Sequence, residues 1–259
     1  MMAIISTHKW LKKNPDEQKI CKELVSYFHS LNEKEISNLL HSFGMYKNSA
    51  SLPQTIQELE EKHIWSLVRK EAEDLKTEWS GPDIPIFIFP TDERNRKIMK
   101  EYKGRAGLAF KDKIFLFISP KAKKEDIKSL LTHEYHHTCR LARVKKEESM
   151  FHLLDVIIME GLAEYAVLER LSGEHLALWT SYYKEEQAVR FLKNIILPNQ
   201  FLKRDDHKFT EIMYGRGFYP KMLGYFVGFH IVKKYSEKTG RKTADMFEID
   251  AAEFTRYLL

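Results

Sequence analysis

The chain of 259 residues is long enough for one large domain, or for a catalytic domain with a smaller helical part. Hydrophobic residues make up 43% and charged residues 31%, a globular balance that excludes a disordered chain. The net charge of +5 is only mildly basic, and basic residues are intermixed with acidic ones. This surface pattern argues against a nucleic-acid-binding protein.

Two cysteines, Cys21 and Cys139, are too few for a disulfide framework or a thiolate zinc site, and they suit a reducing compartment. The N-terminal residues lack the apolar core and cleavage site of a signal peptide. No stretch reaches the roughly 18 apolar residues of a membrane span. We therefore expect a cytoplasmic protein without a transmembrane segment, and its oligomeric state stays open.

The first 80 residues contain three segments with apolar residues at helical spacing and no chemical motif. This spacing predicts an N-terminal helical subdomain over residues 1–80. The composition changes at Gly81, so residues 81–259 are predicted to form a second domain.

Three short apolar runs in the second region predict strands at residues 84–89, 107–110 and 114–118. The last two are separated by a short turn, so we expect a small, mainly antiparallel sheet. A helix follows with Glu125 and Asp126 in its first turns and Arg140 and Arg143 at its far end, where the helix dipole favours them. Further helices are predicted at about 148–171, 179–198 and 220–235, and the fold class is α+β.

The predicted helix after the third strand contains His133-Glu134-Tyr135-His136-His137, the pattern His-Glu-x-x-His. At about 100° per residue, His133 and His137 lie one turn apart on one face and can reach one metal ion. Glu134 lies beside that face, where it can reach a metal-bound water. The pattern indicates a zinc hydrolase, most often a peptidase.

A catalytic zinc site needs a third protein ligand. The metzincin continuation fails because Arg140 and Arg143 stand where glycine and histidine are required. Glu160 is the better candidate, since it interrupts the apolar helix that follows, where an unpaired carboxylate is costly to bury. Glu164, one turn later, is predicted to accept a hydrogen bond from a ligand histidine. Gly161 suggests a close approach of another helix or a metal centre.

The chain resembles the predicted Zn-dependent protease family of YjaZ-like bacterial proteins. The resemblance rests on His133 to His137, on Glu160-Gly-Leu-Ala-Glu-Tyr165 and on Gly224-Tyr-Phe-Val-Gly228, and it covers about residues 84 to 235. The chain is also similar to the glutamate-type zincins (gluzincins), which share the His-Glu-x-x-His helix and a glutamate ligand on the next helix. The resemblance implies a zincin-like metallopeptidase fold with an active-site helix, and a protease activity.

In this interpretation zinc is bound by His133, His137 and Glu160, and Glu134 takes a proton from the attacking water and passes it to the leaving amine. We expect Tyr225, between two glycines, to stabilise the oxyanion. The substrate would be a peptide or protein that binds as an added strand along residues 107–110 or 114–118.

Two other functions remain open from the sequence. The chain could be a catalytically silent interaction protein in which zinc clamps two helices together. It could also be a zinc hydrolase of a non-peptide amide or ester. Glu134 favours an enzyme over the clamp, because a closed structural zinc site has no use for that carboxylate.

Overall fold

The structure, a computed structural model, describes residues 3–256; the outermost ends of the two predicted regions, residues 1–2 and 257–259, lie outside the described residues. The chain forms two compact units, of which the first ends at Tyr135 and the second begins at His136. The division after residue 80 that the sequence suggests stays a prediction.

Five helices precede the first strand and confirm the helical character of the N-terminal region: α1 Thr7–Lys13, α2 Glu17–Leu24, α3 Glu33–Ser42, α4 Leu52–Glu61 and α5 Ile64–Trp79. Side-chain caps begin two of them. The Asp16 carboxylate accepts hydrogen bonds from two backbone N–H groups of α2, and Asn32 and Glu35 form a capping box at α3.

The sheet has three strands, β1 Ile86–Pro90, β2 Arg105–Ala109 and β3 Ile114–Ile118, in the order β1-β3-β2. A short helix, α6 Arg96–Glu101, lies between β1 and β2. The expectation of a mainly antiparallel sheet was wrong, because the sheet is mixed. The hairpin strands β2 and β3 are antiparallel, whereas β3, which lies between β2 and β1, runs parallel to β1.

The two faces of the sheet differ in composition. One face presents phenylalanines that pack with apolar residues of α1 to α4 in a single core (Phe87, Phe89, Phe115, Phe117 with Leu11, Ile20, Leu24, Ile36, Leu40, Ile56). The opposite face presents the aliphatic residues of β1 and β3, all fully buried. Because cross-strand partners share a face, Arg105 and Gly107 of β2 lie on this aliphatic face with Ile118 and Leu116.

Helix α7, Lys124–Arg143, follows the sheet and begins with Glu125 and Asp126 in its first turn, as predicted. It is the helix that contains the His-Glu-x-x-His motif, and the first unit ends within it at Tyr135. Tyr135 is fully buried, stacks on Trp79 and donates its hydroxyl to the Pro82 carbonyl at 2.8 Å.

The second unit contains α8 Leu153–Leu171, α9 Glu185–Phe191, α10 His207–Tyr214, α11 Leu223–Thr239 and α12 Ala251–Thr255. Helices α8 and α11 form its most extensive helix pair and share one apolar core with α9, α10 and α12. Helix α8 begins at Leu153 rather than near residue 148, because the Asp155 carboxylate caps the His152 N–H. Within residues 3–256, no helix combines the length and the apolar composition that a bilayer crossing requires.

Candidate metal centre

Two histidines of α7 meet a carboxylate of α8. His137 is almost fully buried and His133 is half-buried, one turn earlier on the same helix. Glu160 of α8 points its Oε2 at His137 Nε2, 3.6 Å away. One ligand atom from each of His133, His137 and Glu160 lies within 4.8 Å of the others.

This donor set fits a zinc ion. Two imidazole nitrogens and one carboxylate oxygen are ligand types of catalytic zinc, and three protein ligands leave a fourth position for water. With metal–ligand distances near 2.0–2.2 Å, tetrahedral ligand atoms stand about 3.4 Å apart. The distance between His137 Nε2 and Glu160 Oε2 already has nearly this value. The other separations are at most 4.8 Å.

The carboxylate of Glu134 lies directly against the backbone of β2. A Cβ built on Gly107 would come within 2.5 Å of Cγ, Cδ and Oε1 of Glu134. Real Cβ atoms essentially never lie so close to another atom, so the Glu134 side chain would have to move. Glycine at this position is therefore what allows the carboxylate to lie against the strand. Glu134 is only 8% exposed there, beside the candidate ligand His133 in the chain.

Strand β2 is an edge strand and pairs on one side only among the described residues. Hydrogen bonds from Phe110 N to Lys113 O and from Ser119 N to Gly104 O identify the bonded pairs at the two ends of the hairpin. Bonded and non-bonded pairs alternate, so the N–H and C=O of Gly107 point away from β3. Residues 114–118, the other edge considered from the sequence, are the central strand and cannot accept a further strand.

An ion pair joins β2 to the first turns of α7. Arg105 Nη1 lies 2.5 Å from Asp126 Oδ1, Arg105 Nη2 donates to Ser129 Oγ at 3.2 Å, and Lys103 Nζ donates to Asp126 Oδ1 at 3.2 Å. Burial by itself would raise the pKa of Asp126, but the charge of Arg105 and these hydrogen bonds outweigh it and lower that pKa below its ordinary value. Sequence reasoning missed this pair, since Asp126 had a sufficient explanation in the helix dipole.

The position of Glu160 depends on a contact between glycines. A Cβ on Gly161 would lie 2.2 Å from the carbonyl oxygen of Gly228, and a Cβ on Gly228 would lie 2.1 Å from the Ile157 carbonyl oxygen. The close approach of another helix that Gly161 suggested is therefore confirmed, and the partner is α11. This contact fixes α8 at the residue that follows the candidate ligand.

The remaining predicted site residues lie in the second unit. Glu164 is buried, and its Oε1 accepts a hydrogen bond from the Ala177 N–H at 2.6 Å. Tyr225 is half-buried on α11, 5.3 Å from the ring of Trp179 and 5.8 Å from that of Tyr214. The predicted roles of Glu164 and Tyr225 stay predictions.

Arg140 has a structural role that the sequence did not reveal. Its guanidinium is buried and donates to the carbonyl oxygens of Met246 and Phe247 at 3.1 Å and of Ile249 at 2.9 Å. Burial lowers the pKa of Arg140 to about 10, so it remains a cation at neutral pH. His136 packs on the Phe247 ring, with 4.7 Å between the ring centroids.

Comparison with known proteins agrees with this description. A family described as "Predicted Zn-dependent protease" matches residues 64–256, a wider range than the motifs cover. The uncharacterized protein YjaZ of Bacillus subtilis is 42% identical over the full length of both chains. The uncharacterized protein YjfC of the same organism is 23% identical over 79% of this chain and 73% of its own. No solved structure matches. With three quarters of its residues covered by the family, the chain belongs to the predicted Zn-dependent proteases.

Proposed function

We propose that the protein is a zinc-dependent peptidase of the gluzincin type with a zincin-like catalytic fold. The supporting observation is the convergence of His133, His137 and Glu160 from α7 and α8, with Glu134 next to His133 on the same helix. A structural zinc clamp would need the ligands but not the adjacent carboxylate.

In this proposal His133 and His137 donate imidazole nitrogens and Glu160 a carboxylate oxygen to the metal. Bound zinc would lower the pKa of a water ligand towards about 7 and polarise a carbonyl group. Glu160 also carries a negative charge that balances part of the metal charge in a largely buried place, since its side chain is 13% exposed.

Glu134 is proposed as the general base, which takes the proton of the attacking water and returns it to the leaving amine. Its contact with Gly107 supports this role, because the carboxylate occupies the space that any larger residue of the strand would fill. A base held in place avoids the entropic cost of finding the reacting proton.

The substrate class that fits the surroundings is an extended peptide. The outward N–H and C=O groups of Gly107 can pair with a peptide backbone, as an added strand on the open edge of β2. That peptide would pass the Glu134 carboxylate, which lies against the same residue. We propose further that Tyr225 donates to the oxyanion and that Glu164 orients a ligand histidine, while its Oε1 also binds the Ala177 N–H.

The test measures zinc and cleavage separately. Full-length wild type, Glu134→Gln and Glu160→Gln are purified, their zinc content is determined by mass spectrometry, and each is assayed on a peptide library. We expect Glu134→Gln to retain zinc and to lose cleavage by about 10²–10⁴-fold. Glu160→Gln should lose most of its zinc, because an amide is a much weaker ligand than a carboxylate.

Matched controls are available in the same chain. Glu125→Gln makes the same change at an exposed position of α7. His137→Asn removes a candidate ligand and should lose zinc, and His207→Asn makes the same change at an exposed histidine as its control. Both controls should keep zinc and cleavage. Zinc in the wild type with no cleavage of any peptide would contradict the peptidase and favour the clamp. Hydrolysis of small esters or amides alone would indicate the non-peptide hydrolase.

A further inference from the structure

The segment between α10 and α11 is a closed loop with an exposed aromatic apex. Residues 215–222 leave α10 and return to it, where the Met222 N–H donates to the Tyr214 carbonyl at 3.0 Å. Gly215 has a φ of +68°, and a Cβ there would lie 1.9 Å from the Pro220 carbonyl oxygen, so the two ends of the loop touch. At the apex, Phe218 is fully exposed.

Single exposed apolar residues are common on protein surfaces, so Phe218 alone would mean little. Here it stands among aromatic rings and cations. Tyr214 is 41% exposed with the Arg216 guanidinium 5.7 Å from its ring centre, and Lys221 Nζ lies 5.3 Å from the ring centre of Tyr182. Arg216 and Lys221 flank Phe218 in the chain and are exposed themselves.

The charge of this surface is positive. No acidic residue occurs between Tyr214 and Phe229 in the sequence. One carboxylate, Glu211 of α10, lies beside the loop, 3.7 Å from where a Cβ of Gly217 would be; it is partly exposed and pairs with His207 Nδ1 at 3.4 Å, which leaves Arg216 and Lys221 in excess. An outward Phe218 with two cations beside it combines the two contributions that a peripheral membrane contact needs, apolar insertion and attraction to anionic headgroups.

We propose that this loop, which we call the Phe218 loop (residues 215–222), docks the protein on the surface of an anionic lipid bilayer. Phe218 inserts among the headgroups, the tyrosines lie at the polar interface, and Arg216 and Lys221 contact lipid phosphates. Closure of the loop holds Phe218 outward before contact, so docking orders few further groups. The inference is independent of the proposed peptidase function.

The experiment is co-sedimentation of the full chain with vesicles. One set contains phosphatidylcholine with about one third phosphatidylglycerol, and the other contains phosphatidylcholine alone. We expect binding to the anionic vesicles only, with a partition coefficient that falls about tenfold or more in Phe218→Ala. Arg216→Ala and Lys221→Ala should each lower it about fivefold, and added salt should weaken binding.

Phe201→Ala is the matched control, since Phe201 is 75% exposed elsewhere in the same unit. It should bind like the wild type. Thermal unfolding of Phe218→Ala should be unchanged, because the side chain is fully exposed.

Failure of the wild type to bind anionic vesicles would overturn the proposal, as would equal binding by Phe218→Ala, which would mean electrostatic adsorption without insertion. A Phe218-dependent association of the protein with itself or with another protein, in the absence of vesicle binding, would assign the loop to a protein partner and overturn it too. None of these outcomes depends on zinc or on peptide cleavage.

Discussion

The contact between Gly161 and Gly228 gives a prediction whose size can be worked from the structure. In Gly161→Ala the new methyl group would begin 2.2 Å from the Gly228 carbonyl oxygen and 2.3 Å from its carbon. An ordinary contact of this kind is about 3.4 Å, so α8 and α11 would have to separate by about 1 Å. Both atoms belong to helix backbone, and no flexible side chain can move aside instead.

Two effects oppose each other in this variant. Alanine is favoured over glycine in a helix by about 1 kcal/mol. Overpacking in a rigid core costs about 1–3 kcal/mol and more where only backbone can move, and separation of the largest helix pair in the unit also loosens its neighbours. The steric effect should dominate. We expect a net loss of about 2 kcal/mol in the free energy of unfolding, or about 4–8 °C in Tm.

Thermal and urea unfolding of the full chain measure this loss. Gly173→Ala is the control, because a Cβ there meets nothing nearer than Leu168 Cδ1 at 4.0 Å. In Gly161→Ala with Gly228→Ala the second substitution should cost less than it does alone, because the helices have already moved apart. The reasoning is refuted if Gly161→Ala and Gly173→Ala unfold at the same temperature.

Three further predictions follow from the site. Gly107→Ala should displace the Glu134 carboxylate and lower peptide cleavage at least about tenfold, with zinc content unchanged; full activity would show that the strand does not hold the base. Arg140→Met should lose about 3 kcal/mol of stability in urea unfolding, since three carbonyl groups, two of them in buried hydrogen bonds, lose a charged donor, whereas the exposed Lys145→Met should change little. The pKa of Asp126 is lowered in the folded state, so the ionised carboxylate stabilises the fold above its ordinary pKa of about 4, and this contribution is lost as the pH falls through the folded pKa. Asp126→Asn should therefore be less stable than the wild type at pH 7, and the difference in stability should shrink in acid. An equal difference in the free energy of unfolding between wild type and Asp126→Asn at pH 7 and in acid would assign the effect to packing.

Much of the fold and the two histidine candidates could be predicted because they depend on local periodicity, and Glu160 could be predicted because it interrupts an apolar helix. His133 and His137 share a face for any helical conformation of α7, and the buried strands showed as short apolar runs. The pairing of β1 with β3 could not be predicted in the same way. The parallel pairing depends on which strand of the hairpin lies next to β1, and the residues of β1 do not indicate which strand that is.

The specific partners of Arg140 and Asp126 could not be predicted for a related reason. Arg140 and Asp126 both occupy helix ends where the dipole already explains their charge, so the sequence offers no sign of their specific partners. Those partners are the Ile249, Met246 and Phe247 carbonyls in one case and Arg105 in the other, far away along the chain. Gly107 left a faint signal, because a glycine inside a strand suggests a close approach, but not what approaches.

Alanine substitutions at Gly161 and Gly107 can distinguish the proposed metal-ligand role of Glu160 from the proposed general-base role of Glu134. Gly161 fixes the helix that carries Glu160, so its substitution by alanine should weaken zinc binding even at temperatures where the chain stays folded. A Cβ at Gly107 would meet Glu134 first, and Glu134 is not one of the three candidate ligands, so the corresponding alanine variant should bind zinc as tightly as the wild type. Zinc titration of both folded variants at one temperature tests the assignment of roles. Equal zinc affinities would mean that the α8–α11 contact does not position Glu160, and a loss confined to Gly107→Ala would make Glu134 a ligand rather than a base.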